Sequence, residues 1–229
     1  MDNYWKSFWT KHAEITINKD LQCQVLRTLE KKPISEDEFK GILNYVEENM
    51  KITKSDEILD LCCGNGLFAT SFSSKCKRVV VVDFSKELIA QVDVNMHRNI
   101  TPFVGDIRNI NFKEGVFDKV LLYAGLQYLS YKDTILLFEK VIKWLRDDGI
   151  FYIGDIPDME KIWFFYNSEE RERIYFESMK NEKPLIGTWF TKSWLVKLGK
   201  YVNCKEIGIL SQRNEFPYSH YRFDMFLKR

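Results

Sequence analysis

The chain has 229 residues, room for one sizeable domain. Lys and Arg number 34 against 33 Asp and Glu, a net charge of +1, so no excess of cations exists to drive nucleic-acid binding. An apolar share of 45% speaks against disorder, no apolar run reaches the roughly 18–20 residues needed to span a bilayer, and the first residues lack the basic and apolar regions of a signal peptide.

Taken in order, Tyr4, Trp5, Phe8, Trp9 and His12 recur at helical spacing and give one aromatic stripe. Ser35 followed by Glu38 is a capping box that opens a helix to about residue 50. From residue 57 strands and helices alternate. Residues 57–61 form a short strand that runs into Gly64 and Gly66, and residues 78–83 form a second, apolar enough to be buried on both faces as parallel strands are. A helix over 86–95, strands over 101–106 and 117–123, a helix over 133–145 and a fifth strand over 150–155 follow. Such repeated units imply a parallel sheet with helices on both faces. Residues 157–190 break the rhythm with charges and aromatics together, among them Trp163, Tyr166, Tyr175 and Trp189. A helix over 191–200 and two β-rich runs, 204–210 and 221–227, close the chain as an antiparallel pair.

The strongest motif runs from Asp60 to Ala69, D-L-C-C-G-N-G-L-F-A, after a strand and before a helix. Glycine lets the chain turn tightly and lets a ligand touch backbone. Alone, Gly64-x-Gly66-x-x-Ala69 also fits a dinucleotide fingerprint. The surroundings decide. Asp83 ends the second strand about 20 residues on, where an acid accepts both ribose hydroxyls. Asp106 ends the third strand in G-D-I. Asp60 precedes the glycine turn, where its carboxylate repels a pyrophosphate and attracts a ligand with an α-amino group and a sulfonium. S-adenosylmethionine is such a ligand and NAD is not.

Residues 57–66, Asp83, residues 105–107 and residues 117–120 resemble the successive motifs of class I S-adenosylmethionine-dependent methyltransferases, most closely the small-molecule methyltransferase-domain group. The resemblance covers roughly residues 50–156. That family's first motif usually reads D-x-G-C-G-x-G; here Cys62 replaces the first glycine, with little effect on binding expected because Gly64 and Gly66 remain. The resemblance implies an α/β, Rossmann-like fold: a seven-stranded, mostly parallel sheet with an antiparallel terminal strand, helices on both faces, N-terminal helices and an aromatic cap insertion. It implies one domain over 1–229, with an N-terminal helical lid (1–50), a cofactor-binding core (57–156), the cap (157–190), and a C-terminal helix and β-hairpin (191–229). It places Asp60, Cys62, Gly64 and Gly66 at the methionine end of S-adenosylmethionine, Asp83 on the ribose and Phe84 beside the adenine. Asp106 accepts from the adenine amino group, Ile107 packs on the ring, and Tyr123 and Ala124 lie under the sulfonium. S-adenosylhomocysteine is the product.

Methyl transfer asks the protein mainly to align the acceptor and exclude water, and a base helps only when the acceptor is a hydroxyl. His220, in the link before the terminal strand, is the first choice for a base, Asp155 the second and Tyr128 the third. Tyr4, Trp9, Trp163, Tyr166, Tyr218 and Arg222 are candidates for holding the acceptor, Arg222 through an anion. After the fourth strand the chain reads Y-A-G-L-Q-Y, without the Asn/Asp-Pro-Pro-aromatic run of base amino-methylation or the Pro-Cys of cytosine C5 methylation. Five cysteines without a C-x-x-C pair, and three histidines, suggest no metal site. The resulting expectation is a cytoplasmic enzyme, monomer or homodimer, that methylates an oxygen or nitrogen of a small molecule such as a sugar or glycan precursor or another specialised metabolite, with no nucleic-acid or membrane partner. Two other readings stay open: a protein or nucleic-acid methyltransferase, and a non-catalytic cofactor-binding subunit.

Overall fold

The computed structural model describes residues 2–229, with side chains from residue 4 onward. Helices α1 (Asp2–Thr16) and α2 (Leu21–Gln24), a hairpin of β1 (Thr28–Leu29) and β2 (Lys32–Pro33), and α3 (Glu36–Met50) precede the sheet. Then come β3 (Glu57–Leu61), α4 (Leu67–Ser73), β4 (Arg78–Asp83), α5 (Lys86–Ile89), β5 (Ile100–Val104), β6 (Phe117–Tyr123), α6 (Tyr131–Trp144) and β7 (Leu145–Pro157). The chain ends with α7 (Ile162–Phe165), α8 (Glu169–Lys180), α9 (Lys192–Tyr201), β8 (Glu206–Ser211) and β9 (Arg222–Lys228).

The central strands are apolar at nearly every position, and successive side chains point to opposite faces. Leu59, Val80, Val82, Val120, Leu122 and Phe151 enter one core. Ile58, Val79, Val81, Leu121 and Tyr152 enter the other. The seven strands therefore form a middle layer, in the order β5-β4-β3-β6-β7-β9-β8. β3 to β7 are parallel, and β9 is antiparallel to both of its neighbours. The chain moves outward from β3 to β5, then returns to place β6 beside β3. Open α/β sheets bind ligands outside the carboxyl ends of the strands at such a reversal.

Local chemistry sets the helix ends. Ser35 caps α3 with the reciprocal Glu38 bond, and Ile42, Val46 and Met50 turn inward. The helix expected over 86–95 stops at Ile89, because Asp93 turns the chain by accepting from the backbone N–H groups of Asn95 and Met96. The helix expected from 133 starts at Tyr131, since the Ser130 hydroxyl caps it by accepting from Asp133 N. The β1–β2 hairpin has no sequence signal: its turn residues, Glu30 and Lys31, hold φ of 49° and 67° where Asn-Gly is the usual choice. In the cap, one-turn α7 sends Ile162 inward and Trp163 and Phe164 outward, and Tyr166 packs with Trp189 and Tyr221 in a third cluster. Among the described residues no helix is long and apolar enough to cross a membrane.

Candidate functional site

Strand ends build the site. β3 leaves the sheet through Cys62, Gly64 and Gly66, with φ of 54°, 57° and 80°. Glycine takes such angles freely, whereas a residue with a side chain gives up roughly 1–2 kcal/mol. Cys62 thus carries strain where the resembling family has glycine. Gly64 is needed for space as well: a Cβ there would lie 2.6 Å from Val25 Cγ1, in the loop between α2 and β1.

Asp60, Cys62, Gly64, Asp83, Phe84, Asp106, Ile107, Tyr123 and Ala124 line one cavity. Its space, open mouth included, is about 1160 Å³, ample for a small-molecule ligand. Gly66 does not line it and instead N-caps α4.

The three acids differ. Asp60 is 2% exposed and its Oδ2 has no hydrogen-bond partner. Burial, and then the nearby Asp83, hold its carboxyl well above the usual range. Asp83 accepts from Gly64 N at 3.0 Å and Ser85 N at 2.9 Å. Burial raises its pKa, and those backbone donors oppose the rise. Asp106 accepts from Arg108 Nη2 at 2.6 Å and Nε at 2.9 Å, and Lys6 Nζ lies 2.9 Å away. Burial pushes its pKa up, but these cations outweigh burial and hold it far below the usual range.

Aromatic rings close the mouth. Tyr128 meets Trp5 at 4.8 Å and Trp9 at 5.7 Å between ring centroids, so α1 lies over the cavity. Tyr4 touches Trp5 and Phe8 and does not line the cavity.

Several expected acceptor and base residues lie elsewhere. His220 is exposed and edges onto the Tyr221 ring at 4.7 Å, outside the cavity. Partial burial, then Lys161 and Arg171, lower its pKa, but it faces no reacting group. Trp163 is 49% exposed and Tyr166 is core, because α7 ends at Phe165 and Tyr166, its C-cap, leaves the helical path. Asp155 does not line the cavity; its carboxylate sits 3.3 Å from Arg27 Nη1 and 3.6 Å from Arg222 Nη1. Arg222 is buried and donates to Gln127 Oε1 at 2.8 Å, and Tyr218 donates to the Thr28 carbonyl. Tyr128 lines the cavity, but burial pushes its phenol up to about 12, too high for a base at neutral pH.

Sequence reasoning missed Trp5, Lys6, Arg27, Phe39, Phe68 and Arg108, which also line the cavity. The aromatic stripe pointed to Trp5, and Phe68 stands within the glycine motif; Lys6, Arg27, Phe39 and Arg108 carry no motif.

S-adenosylmethionine suits this arrangement on one observation. An orphaned, buried carboxylate oxygen beside a glycine turn wants a cationic donor, and the α-amino group of that cofactor is one.

Comparisons with known proteins agree. The family described as "Methyltransferase domain" matches residues 58–149. An uncharacterised methyltransferase of Synechocystis is 27% identical over 119 residues, 52% of this chain and 55% of its own length. Phosphoethanolamine N-methyltransferase 1 of Caenorhabditis elegans is 24% identical over 66% of this chain and 30% of its own. The chain thus spans little more than half, or less, of these relatives. Among solved structures, Haemonchus contortus phosphoethanolamine N-methyltransferase 1, in complex with phosphoethanolamine and S-adenosylhomocysteine, superposes with a TM-score of 0.70 at 15% identity, over 99% of this chain and 48% of that one. Residues 58–149 thus match a methyltransferase domain, and the motif order, the sheet topology and the acid-lined glycine turn make the chain similar to class I S-adenosylmethionine-dependent methyltransferases.

Proposed function

We propose that the chain transfers a methyl group from S-adenosylmethionine to an oxygen or nitrogen of a small-molecule acceptor. The unpartnered Asp60 carboxylate, in one cavity with Asp83 and Asp106, carries the reading. Asp60 takes the α-amino group, at the end formed by Cys62 and Gly64. Asp83 takes the ribose, Phe84 and Ile107 flank the adenine, and Asp106 faces its amino group. Tyr123 and Ala124, at the end of β6, lie under the sulfonium. When bound, the cofactor supplies an electrophilic methyl group, and the chain supplies alignment and a dry wall.

Of the three expected bases none is free to act in the cavity: His220 lies outside, Asp155 is tied to two arginines, and the Tyr128 phenol is held protonated. A neutral amine needs no base, so nitrogen is the favoured acceptor atom. The named activity of the phosphoethanolamine N-methyltransferase relatives is in keeping with that choice. The covering of the mouth by Trp5 and Trp9 favours a small acceptor over a macromolecule.

Calorimetry with S-adenosylhomocysteine tests the cofactor site, and absence of binding would sink the proposal. Tritium transfer from labelled S-adenosylmethionine into cell extract tests the acceptor. Label is expected in the metabolite fraction; label confined to protein or nucleic acid would move the acceptor to that class, and binding without transfer would mark a non-catalytic subunit.

A further inference from the structure

We infer that Arg27 is the receptor for an acidic group, a carboxylate or a phosphate, on the methyl acceptor. This rests on reading the cavity as a methyltransferase site. Arg27 belongs to the loop that also seats Val25 on Gly64. Two residues past Val25 the chain has crossed to the other flank of the sheet's reversal point. The Arg27 guanidinium lies 4.8 Å from the Tyr123 ring centroid, 5.8 Å from that of Tyr218 and 3.3 Å from Asp155 Oδ2. Asp60, Asp83 and Asp106, the acids assigned to the cofactor, belong to β3, to the end of β4 and to the loop after β5. Tyr123 and Asp155 belong to β6 and β7, on the opposite side of β3. Arg27 therefore faces the part of the cavity beyond the sulfonium position.

Its donors exceed its partners. A guanidinium has five N–H donors, and among the described residues the one hydrogen bond the Arg27 side chain makes is to Asp155. That carboxylate is shared, since Arg222 Nη1 lies 3.6 Å from the same oxygen. The Arg222 Nε is itself buried without a partner. The neighbouring Asp224 cannot neutralise the surplus, because its oxygens take Tyr152 Oη, Asp155 N and Gln212 Nε2. A buried cation that lines a cavity with unused donors selects an anion there. The planar fork matches carboxylate and phosphate in pairs of bonds, and the two tyrosine rings fix its plane. Phe68, which lies against Tyr123 at 4.4 Å between centroids, offers an apolar wall for the body of such a molecule. The acceptor class is thus a small acid with its methylated atom at the sulfonium end. Asp155 becomes a positioning residue that aims Arg27.

The test uses the chain loaded with S-adenosylhomocysteine and three probes: inorganic phosphate, propionate, and the neutral isostere propionamide. Thermal shift and calorimetry are expected to show binding of phosphate or propionate and none of propionamide. Arg27→Gln should weaken the anion response by at least about ten-fold, with S-adenosylhomocysteine affinity kept within about three-fold. Arg27→Lys should recover part of the response. In Arg27→Gln the Asp155 carboxylate keeps Arg222 as its partner, so no buried charge is left unpaired, and the retained S-adenosylhomocysteine affinity guards against a folding defect. A ten-fold loss of S-adenosylhomocysteine affinity in Arg27→Gln would assign the guanidinium to the cofactor's own carboxylate and overturn the inference. Equal responses to propionate and propionamide, no response to any probe, or anion binding unchanged in the variants would overturn it too. Failure of the wild-type chain to bind S-adenosylhomocysteine is read before any probe is added, and it removes the methyltransferase reading together with this one.

Discussion

Lys6 Nζ lies 2.9 Å from Asp106 Oδ2, so the first helix is pinned to the loop after β5. Arg108 supplies three further donors to the same carboxylate: its backbone N and Nε to Oδ1, and Nη2 to Oδ2. A carboxylate offers about four lone-pair positions. Here four donors fill them, and an adenine amino group held by Asp106 has to displace Lys6.

Replacing Lys6 should therefore help the cofactor. Its side chain is 45% exposed, and a pair of that kind is worth about 0–1 kcal/mol. Lys6→Met is expected to tighten S-adenosylhomocysteine binding by up to about five-fold at low salt, with the gain fading as salt rises. Calorimetry at two ionic strengths reads this directly. Weaker binding by the variant would mean that the lysine holds the cofactor instead of competing with it.

Asp60 sets function against stability. Its buried carboxylate has one unpartnered oxygen, and the charge is a cost until a cation arrives. Asp60→Asn should raise the melting temperature of the ligand-free chain. It should also lower S-adenosylhomocysteine affinity by about 10–100-fold, the scale of a lost charge-assisted hydrogen bond. A variant that binds as tightly as the wild type would remove Asp60 from the α-amino site.

Asp224 makes stability depend on pH. Burial raises its pKa to about 6, against the opposing bonds from Tyr152, Asp155 N and Gln212. The unfolded value is near 3.9. A folded pKa above the unfolded one means the folded chain binds the proton more tightly, so the contribution is full below about pH 4 and is lost as pH rises through about 6. Urea unfolding at pH 5 and at pH 7.5 should show the wild type losing about 1.4 kcal/mol more over that interval than Asp224→Asn, where the slope is removed. Parallel behaviour of the two chains would show that Asp224 is not the titrating group.

The legible part of this chain was the part governed by short-range rules. The apolar runs of β3, β4 and β6 announce strands buried on both faces, and their order gives the sheet. The glycine turn, with Asp60 and Asp83, points to the cofactor cavity because a tight turn and a strand end need those residue types in place. The acceptor side was less legible. Arg27 stands in a loop without a pattern, and only the fold brings it to Tyr123 and Asp155 across 128 positions of sequence in the latter case. Aromatic composition misled in the cap: Trp163 and Tyr166 look alike as sequence, yet the first points to solvent from α7 and the second, past the helix end, turns into a core. His220 was chosen for its titration range, which says nothing about the direction its ring faces.

The contact between Gly64 and Val25 tests how the N-terminal loop is seated on the glycine turn. A Cβ on Gly64 would stand 2.6 Å from Val25 Cγ1, and φ there is +57°. Gly64→Ala thus combines a backbone penalty of about 1–2 kcal/mol with a clash that pushes the loop, and Arg27 with it, off the cavity. A total loss of about 2–4 kcal/mol is expected, with weakened S-adenosylhomocysteine binding. Val25→Ala removes the offending methyl groups but leaves the backbone penalty. The double variant should therefore recover the steric share alone, and urea unfolding of the four chains as a double-mutant cycle should give a coupling of about 1 kcal/mol or more. Simple additivity of the two substitutions would mean that Val25 does not rest on Gly64, and that the loop carrying Arg27 lies elsewhere in solution.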